Sequence, residues 1–350
     1  MESKFKYIVK AEDSGKELKA IVKNEFAFSS RLLTKLKNEN LIFLNGESMP
    51  GWIQVNEGDV VSVMLPEETS DFEPEDIPIE VVFEDDDILV INKQPGHVVH
   101  PTKGKPYHTI ANGIQKKMED DGVNYKIRFV NRLDMNTSGL LIIAKNSFSQ
   151  DILEKEMGKD HMNKKYLALC EGIFENKEGT IDKPLGRPDP NEVERWILNE
   201  QHGGFRSVTH YKVVEEYPGD YIEHGDRIDG FSLVELVLET GRTHQIRVHL
   251  ASIGHPVAGD HLYCHGDPFE YRRIYGDKRP PLDGTPGPRD TNPEVVSNVI
   301  SRQALHAYSL EFKHPVTGEK LKLEAKLPND MLEAIDRIKK QKNNKIEKIK

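Results

Sequence analysis

Beyond residue 78, short strand-like runs follow one another with helices interspersed at irregular intervals, and that order restricts the fold more than any other feature. Apolar or alternating runs at 79–83, 88–92, 140–144, 165–171, 208–214, 232–239 and 310–313 have the length and residue types of strands. Helical spacing fits 109–117, 147–157 and 243–253. A doubly wound parallel sheet needs strict alternation of strand and helix, which this order lacks. The pattern predicts an α+β domain on a mixed, mainly antiparallel sheet.

A smaller unit precedes it. Residues 16–24 and 29–38 read as two helices, the second capped by Ser29 and carrying Leu32, Leu33 and Leu36 at spacings that share one face. Arg31 and Lys35, four apart, fall together away from that face. The apolar run 41–44 enters Asn45-Gly46, the strongest short hairpin signal, and a further strand spans 60–65. Taken alone, a basic helix face on such an ααβ module is more often a solvated surface than a binding site. The 350 residues thus divide into a module over 1–66, a linker over 67–78, a larger domain over 79–336 and a tail over 337–350. Residues 266–293, rich in Pro, Gly, Asp and Arg, form an insertion far longer than a median connection of roughly 4–6 residues.

Charge is segregated along this plan. The chain has 48 Lys and Arg against 58 Asp and Glu, a net −10. Residues 67–87 hold eleven acids and no base, so the remainder balances at 48 to 47. The final fourteen residues hold seven bases and one acid. A negative total field opposes nucleic acid, so any RNA contact must rest on locally placed Arg and Lys. No stretch nears the roughly 20 apolar residues of a membrane span or forms the apolar core of a secretory signal. Cys170 and Cys264 are too few for a disulfide framework or a cysteine-built zinc site, and a reducing cytoplasm fits best.

Two polar clusters could carry chemistry. In FVNRLDMNTSGLLIIAKN, Asp134 follows Arg132 by two residues inside a turn that leads into an apolar strand, a place from which a carboxylate can project off a rigid sheet. Singly, such an aspartate more often just closes the turn. In ETGRTHQIRVHLASIGHPVAGDHLY, Thr243 and Gly254 bracket a helix whose buried stripe is Ile246, Leu250 and Ile253, leaving His244 and Arg247 on a second face. An arginine there could pair with a carboxylate from another loop and hold it ionised. His244, His249, His255, His261 and His265 suggest metal, but His244 and His249 are five apart and diverge on a helix, so structural histidines are the stronger reading. No GxxxxGK[ST], GxGxxG or G-x-S-x-G occurs, so neither a nucleotide cofactor nor a serine nucleophile is supported.

Taken together, these segments resemble the RluA/RluD family of RNA pseudouridine synthases. NRLDMNTSGLLIIAK is similar to the family signature HRLDxxTSGLLLxAK, with Asn131 in place of the usual histidine. DDDILVINKQPGHVVHP, KKYLALCEG, GTIDKPLGR, ETGRTHQIRVHLASIGHPVAGDHLY and RQALHAYSLEFKHPVTGE resemble the other family segments, in family order. The front module resembles the accessory RNA-binding module of the ribosomal S-four type. The resemblance implies a pseudouridine synthase fold, no cofactor or metal, and an RNA partner, ribosomal or transfer RNA. It implies that Asp134 is the catalytic aspartate, that Tyr166 packs on the target base, that Arg247 pairs with the carboxylate, and that Arg132 fills the space left by the everted base. Arg31 and Lys35 become candidate RNA contacts. The rival from another class is an RNA-binding ribosome-assembly factor that keeps the fold without catalysis.

Overall fold

The computed structural model describes residues 3–158, 162–187, 194–223, 226–263 and 299–347, so the insertion expected at 266–293 lies outside the described residues. The front unit contains β1 (Phe5–Ile8), α1 (Leu18–Glu25), α2 (Ser30–Asn38), β2 (Ile42–Leu44), β3 (Glu47–Ser48) and β4 (Val60–Val63). Its antiparallel sheet has the order β1-β4-β2-β3. Ser29 caps α2 by accepting the Leu32 amide at 3.3 Å, and Asn45-Gly46 joins β2 to β3. Leu18, Ile21 and Val22 of α1 pack with Leu32 and Leu36 of α2 against Val61 and Val63. Sequence reading missed β1, a four-residue edge strand in which Lys6 and an exposed Ile8 blur the alternation.

The larger unit runs through β5 (Glu80–Glu84), β6 (Ile88–Lys93), α3 (Ile110–Asp121), β7 (Arg128–Phe129), β8 (Ser138–Ala144), α4 (Ser147–Gly158), β9 (Asn163–Glu171) and β10 (Glu178–Asp182). It continues with β11 (Leu185–Gly186), β12 (Trp196–Ile197), β13 (Val208–Glu223), β14 (Asp226–Leu238), α5 (Gln245–Ala251), β15 (Leu305–Lys313), β16 (Lys320–Glu324) and α6 (Asn329–Glu347). Ten strands share one sheet in the order β10-β13-β14-β9-β15-β8-β6-β5, with β7 beside β8 and β16 beside β15. Among the described strands only β15 and β8 pair in parallel, through His306 with Ser138 and Ala307 with Gly139. The sheet is therefore mixed and mainly antiparallel, as expected.

β8 reads SGLLIIA because it is covered on both faces, and every residue in it is buried. Gly139 is required there: its φ is +115°, and a Cβ would sit 2.2 Å from the Ala307 carbonyl oxygen. That close approach aligns Gly139, Ala307, Tyr166 and Leu236 side by side across β8, β15, β9 and β14. Tyr166 is thereby fixed beside the turn that feeds β8.

Three boundaries differ from those the sequence suggests. Residues 67–78 pack along α3 and do not hang free: Phe72 lies against the core, and the Asn112 side chain donates to the Glu73 carbonyl at 2.7 Å. The acids of 67–87 meet bases distant in sequence: Glu68 meets Lys35 and Arg128, Glu84 meets Lys117 and Lys145, and Asp86 and Asp87 meet Lys4. The expected division at 336 falls inside α6, whose inward stripe Met331, Ala334, Ile335 and Ile338 continues past it. β13 extends to residue 223 because Pro218-Gly219-Asp220, a turn signal, sits at a bulge in the ladder to β14.

The front unit is joined to the larger one by an aromatic contact. Phe148 of α4 enters the front core, its ring centroid 4.9 Å from that of Phe5 and 5.3 Å from that of Phe28.

Candidate active site

Asp134 lies in the turn between β7 and β8, closed by the Thr137 amide donating to the Asp134 carbonyl at 3.1 Å. Asn131 braces this turn from within. Its side-chain oxygen accepts the Ile142 amide at 2.8 Å and its NH2 donates to the Leu140 carbonyl at 3.2 Å. Arg132, Asp134, Tyr166, Leu238 and Arg242 line a cleft comprising two adjoining pockets of about 60 and 220 Å³. Arg132 is exposed at its rim, and Tyr166 is buried in its wall.

Arg247 ties the cleft together. Its Nη1 donates to Asp134 Oδ2 at 3.0 Å, while Nε and Nη2 donate to the two oxygens of Asp260 at 2.6 and 2.8 Å. Burial opposes the guanidinium charge, yet Asp260 and then Asp134 outweigh it and hold Arg247 above its ordinary value. Burial likewise opposes the Asp260 charge, and Arg247 with the Leu262 and Tyr263 amides brings it below the usual carboxylate range. The expected pairing of Arg247 with Asp134 is thus present, and the bidentate anchor behind it is Asp260.

Sequence reading singled out the neighbouring His261, as a structural histidine, and missed that role. A Cβ on Gly259 would lie 2.2 Å from the Arg302 carbonyl oxygen, so the chain is pressed inward at this point. Two further buried cations were also missed. Lys93 donates to the carbonyls of Gln94, Met135 and Thr137 at 3.0, 2.8 and 2.9 Å. Arg302 donates to the Asn136 carbonyl at 3.0 Å and pairs with Asp330. The Asp134 turn is held from below by these two cations while Arg247 orients its carboxylate. The only local hint in the sequence is a lysine that closes a strand begun by the apolar run Ile88-Leu89-Val90-Ile91, just ahead of Pro95-Gly96.

Electrostatics follow from burial. Burial pulls Lys93 down to about 7, with Arg302 adding to the effect and Asp134 opposing it. His244, at the N-terminus of α5, is pulled by burial down to about 4 and is neutral at pH 7, its Nδ1 2.7 Å from the Tyr263 hydroxyl. The helix starts two residues later than expected. Burial first, then the Asp134 charge, raises the Tyr166 phenol above its ordinary value, so it is protonated at neutral pH.

The remaining candidates are dispersed. Arg31 is exposed on α2, and Lys35 pairs with Glu68 at 3.1 Å. His249 lies between Thr209 and the Lys183 carbonyl, His255 stacks on Phe174, and His261 sits near the Ser301 carbonyl. His265 lies outside the described residues. Asp85, Asp87 and His314 do approach one another. Their groups are engaged, however: Lys4 and Asn146 hold Asp87, Asp85 accepts the Asp87 and Ile88 amides, and His314 Nδ1 accepts the Thr317 amide. His314 Nε2 lies 2.8 Å from Asp85 Oδ2, an ion-pair distance without hydrogen-bond alignment.

A buried arginine aiming a loop carboxylate across a tyrosine, on a sheet of this topology, defines a class that comparison with known proteins identifies. A family profile for RNA pseudouridylate synthase matches residues 87–252. An uncharacterized RNA pseudouridine synthase of Bacillus subtilis, YlyB, is 35% identical over 326 residues, covering 92% of this chain and 93% of that protein. The ribosomal large subunit pseudouridine synthase D of Vibrio cholerae is 35% identical over 328 residues, covering 93% and 92%. The human protein RNA pseudouridylate synthase domain containing 4 shares the fold with a TM-score of 0.51 at 21% identity, over 74% of this chain and 93% of that one. The chain belongs to the RNA pseudouridine synthases. It is therefore an isomerase whose substrate is RNA.

Proposed function

We propose that this enzyme converts uridine to pseudouridine in large-subunit ribosomal RNA, with Asp134 as the nucleophile. The observation that carries the assignment is the Arg247 bridge: one guanidinium, fixed at its back by Asp260, presents the Asp134 carboxylate to a cleft walled by Tyr166. A uridine must leave the RNA stack for its glycosidic bond to be reached, and an exposed arginine such as Arg132 at the rim can occupy the place it vacates. Within the cleft the C1′–N1 bond breaks, the base turns, and a C1′–C5 bond forms. The C5 proton leaves and N1 gains one, so atoms balance without redox change or net hydrolysis. Asp134 supplies the charge that attacks or stabilises the ribose side, and Arg247 fixes its direction. Tyr166 offers its ring to the base. Its raised pKa makes the resting phenol a poor proton acceptor, which favours packing as its main role.

The ribosomal substrate is supported by relatives named ribosomal large subunit pseudouridine synthase D, including that of Haemophilus influenzae at 36% identity over 78% of this chain. The front unit is proposed as an RNA-binding module of the S-four type, with Arg31 on its open face and Lys35 partly neutralised by Glu68. The test is a map of pseudouridines in ribosomal and transfer RNA from cells with and without this gene. Loss of a large-subunit ribosomal site on deletion supports the reading; loss confined to transfer RNA overturns the choice of substrate.

A further inference from the structure

One pair at the cleft rim has no part in the chemistry above. Phe205 is 62% exposed, an unusual position for a phenyl ring beside an active cleft. It is not on a loose loop: its amide and carbonyl exchange hydrogen bonds with Leu185 at 2.8 and 2.9 Å. The Arg242 guanidinium lies 5.5 Å from the ring centroid, and Arg242 lines both pockets that contain Asp134 and Tyr166. Neighbouring Arg206 is matched by Glu239 at 2.9 Å, whereas Arg242 is exposed and has no carboxylate partner among the described residues. The rim thus presents a rigid aromatic face with an uncompensated planar cation beside it.

That combination is what a nucleobase next to an everted nucleotide needs. When a base leaves the stack, its neighbour loses a stacking partner, and aromatic rings and guanidinium planes replace it in single-stranded RNA recognition. We infer that Phe205 and Arg242 form a stacking subsite for an unpaired base adjoining the target uridine. This inference rests on the cleft being the uridine site. Arg242 can meet the backbone phosphate or the base face, and Phe205 supplies the platform.

The test uses the full-length enzyme and bulk ribosomal RNA tritiated at uridine carbon 5, prepared from cells lacking the gene. Phe205→Ala should raise KM about tenfold or more and leave kcat within about twofold. Phe205→Trp should restore KM, whereas Phe205→Leu, equally apolar but without a π face, should not. A wild-type KM in Phe205→Leu, or a fall in kcat alone, would overturn stacking. If the wild-type enzyme released no tritium from this RNA, the substrate reading would fail. The subsite would then be judged separately by quenching of Phe205→Trp emission with decauridylate, beyond any quenching of Trp52 and Trp196 in the wild type. Quenching upholds the subsite, and its absence refutes it.

Discussion

Around Asp134, a four-residue turn is gripped by Lys93, Arg302 and Arg247, all buried and bonded to its carbonyls or its carboxylate. The front module meets the larger unit through Phe148 edges and partly exposed ion pairs such as Lys4 with Asp86 and Lys35 with Glu68. Buried charges add little net stability, but once one is present its partners become obligatory and geometry is fixed. An aromatic contact is tolerant of small shifts, and exposed pairs are screened. The difference teaches where this molecule concentrates rigidity: at the Asp134 carboxylate, proposed above to meet a ribose carbon, and less at the front module, proposed to settle on an RNA surface.

The strongest way to break that contrast is Asp260→Asn. It strands the buried Arg247 with half its compensation, so destabilisation of about 3–5 kcal/mol is expected. A misdirected Asp134 should lower the rate on the order of 10²-fold. Urea unfolding and single-turnover kinetics check both; wild-type values in each would remove Asp260 from the account. Next comes Phe148→Ala, for which large-to-small truncation in a packed core predicts a loss of about 3–5 kcal/mol. Here the loss should fall on the module: its amides should exchange faster while those of β8 stay protected. Uniform acceleration across both units would show that they do not differ as described.

A third expectation is a pH dependence. Burial pulls His244, His249 and His306 each down to about 4 in the folded chain, against roughly 6.5 when unfolded. Between those values the unfolded chain binds more protons, so stability rises with pH. The contribution is full above about pH 6.5 and is lost as pH falls toward 4. The urea midpoint should drop steadily over that window, and a flat profile would contradict neutral burial of these rings.

Elements whose pattern is local could be read from the sequence, and contacts that span the chain could not. The apolar run of β6 and β8, the Ser29 cap and the Asn45-Gly46 hairpin follow from neighbours in sequence. Asp134, Arg247 and Tyr166 were recognisable through the segments that surround them, and the structure brings all three to one cleft. Asp260, Lys93 and Arg302 were not, because each acts on residues brought near only by the fold, as when Arg302 reaches Asn136 across the β15–β8 junction. The acids of 67–87 misled for the same reason: their bases lie at Lys4, Lys35, Lys117, Arg128 and Lys145. A strand also hides when a turn signal falls within it, as Pro218-Gly219 does in β13.

The central claim is that the carboxylate held by Arg247 performs the reaction. Single-turnover tritium release from ribosomal RNA labelled at uridine carbon 5 tests it directly with Asp134→Asn, a substitution that keeps shape and removes charge. The account predicts no detectable release while the variant still binds the RNA. Release at a rate within tenfold of wild type would contradict it.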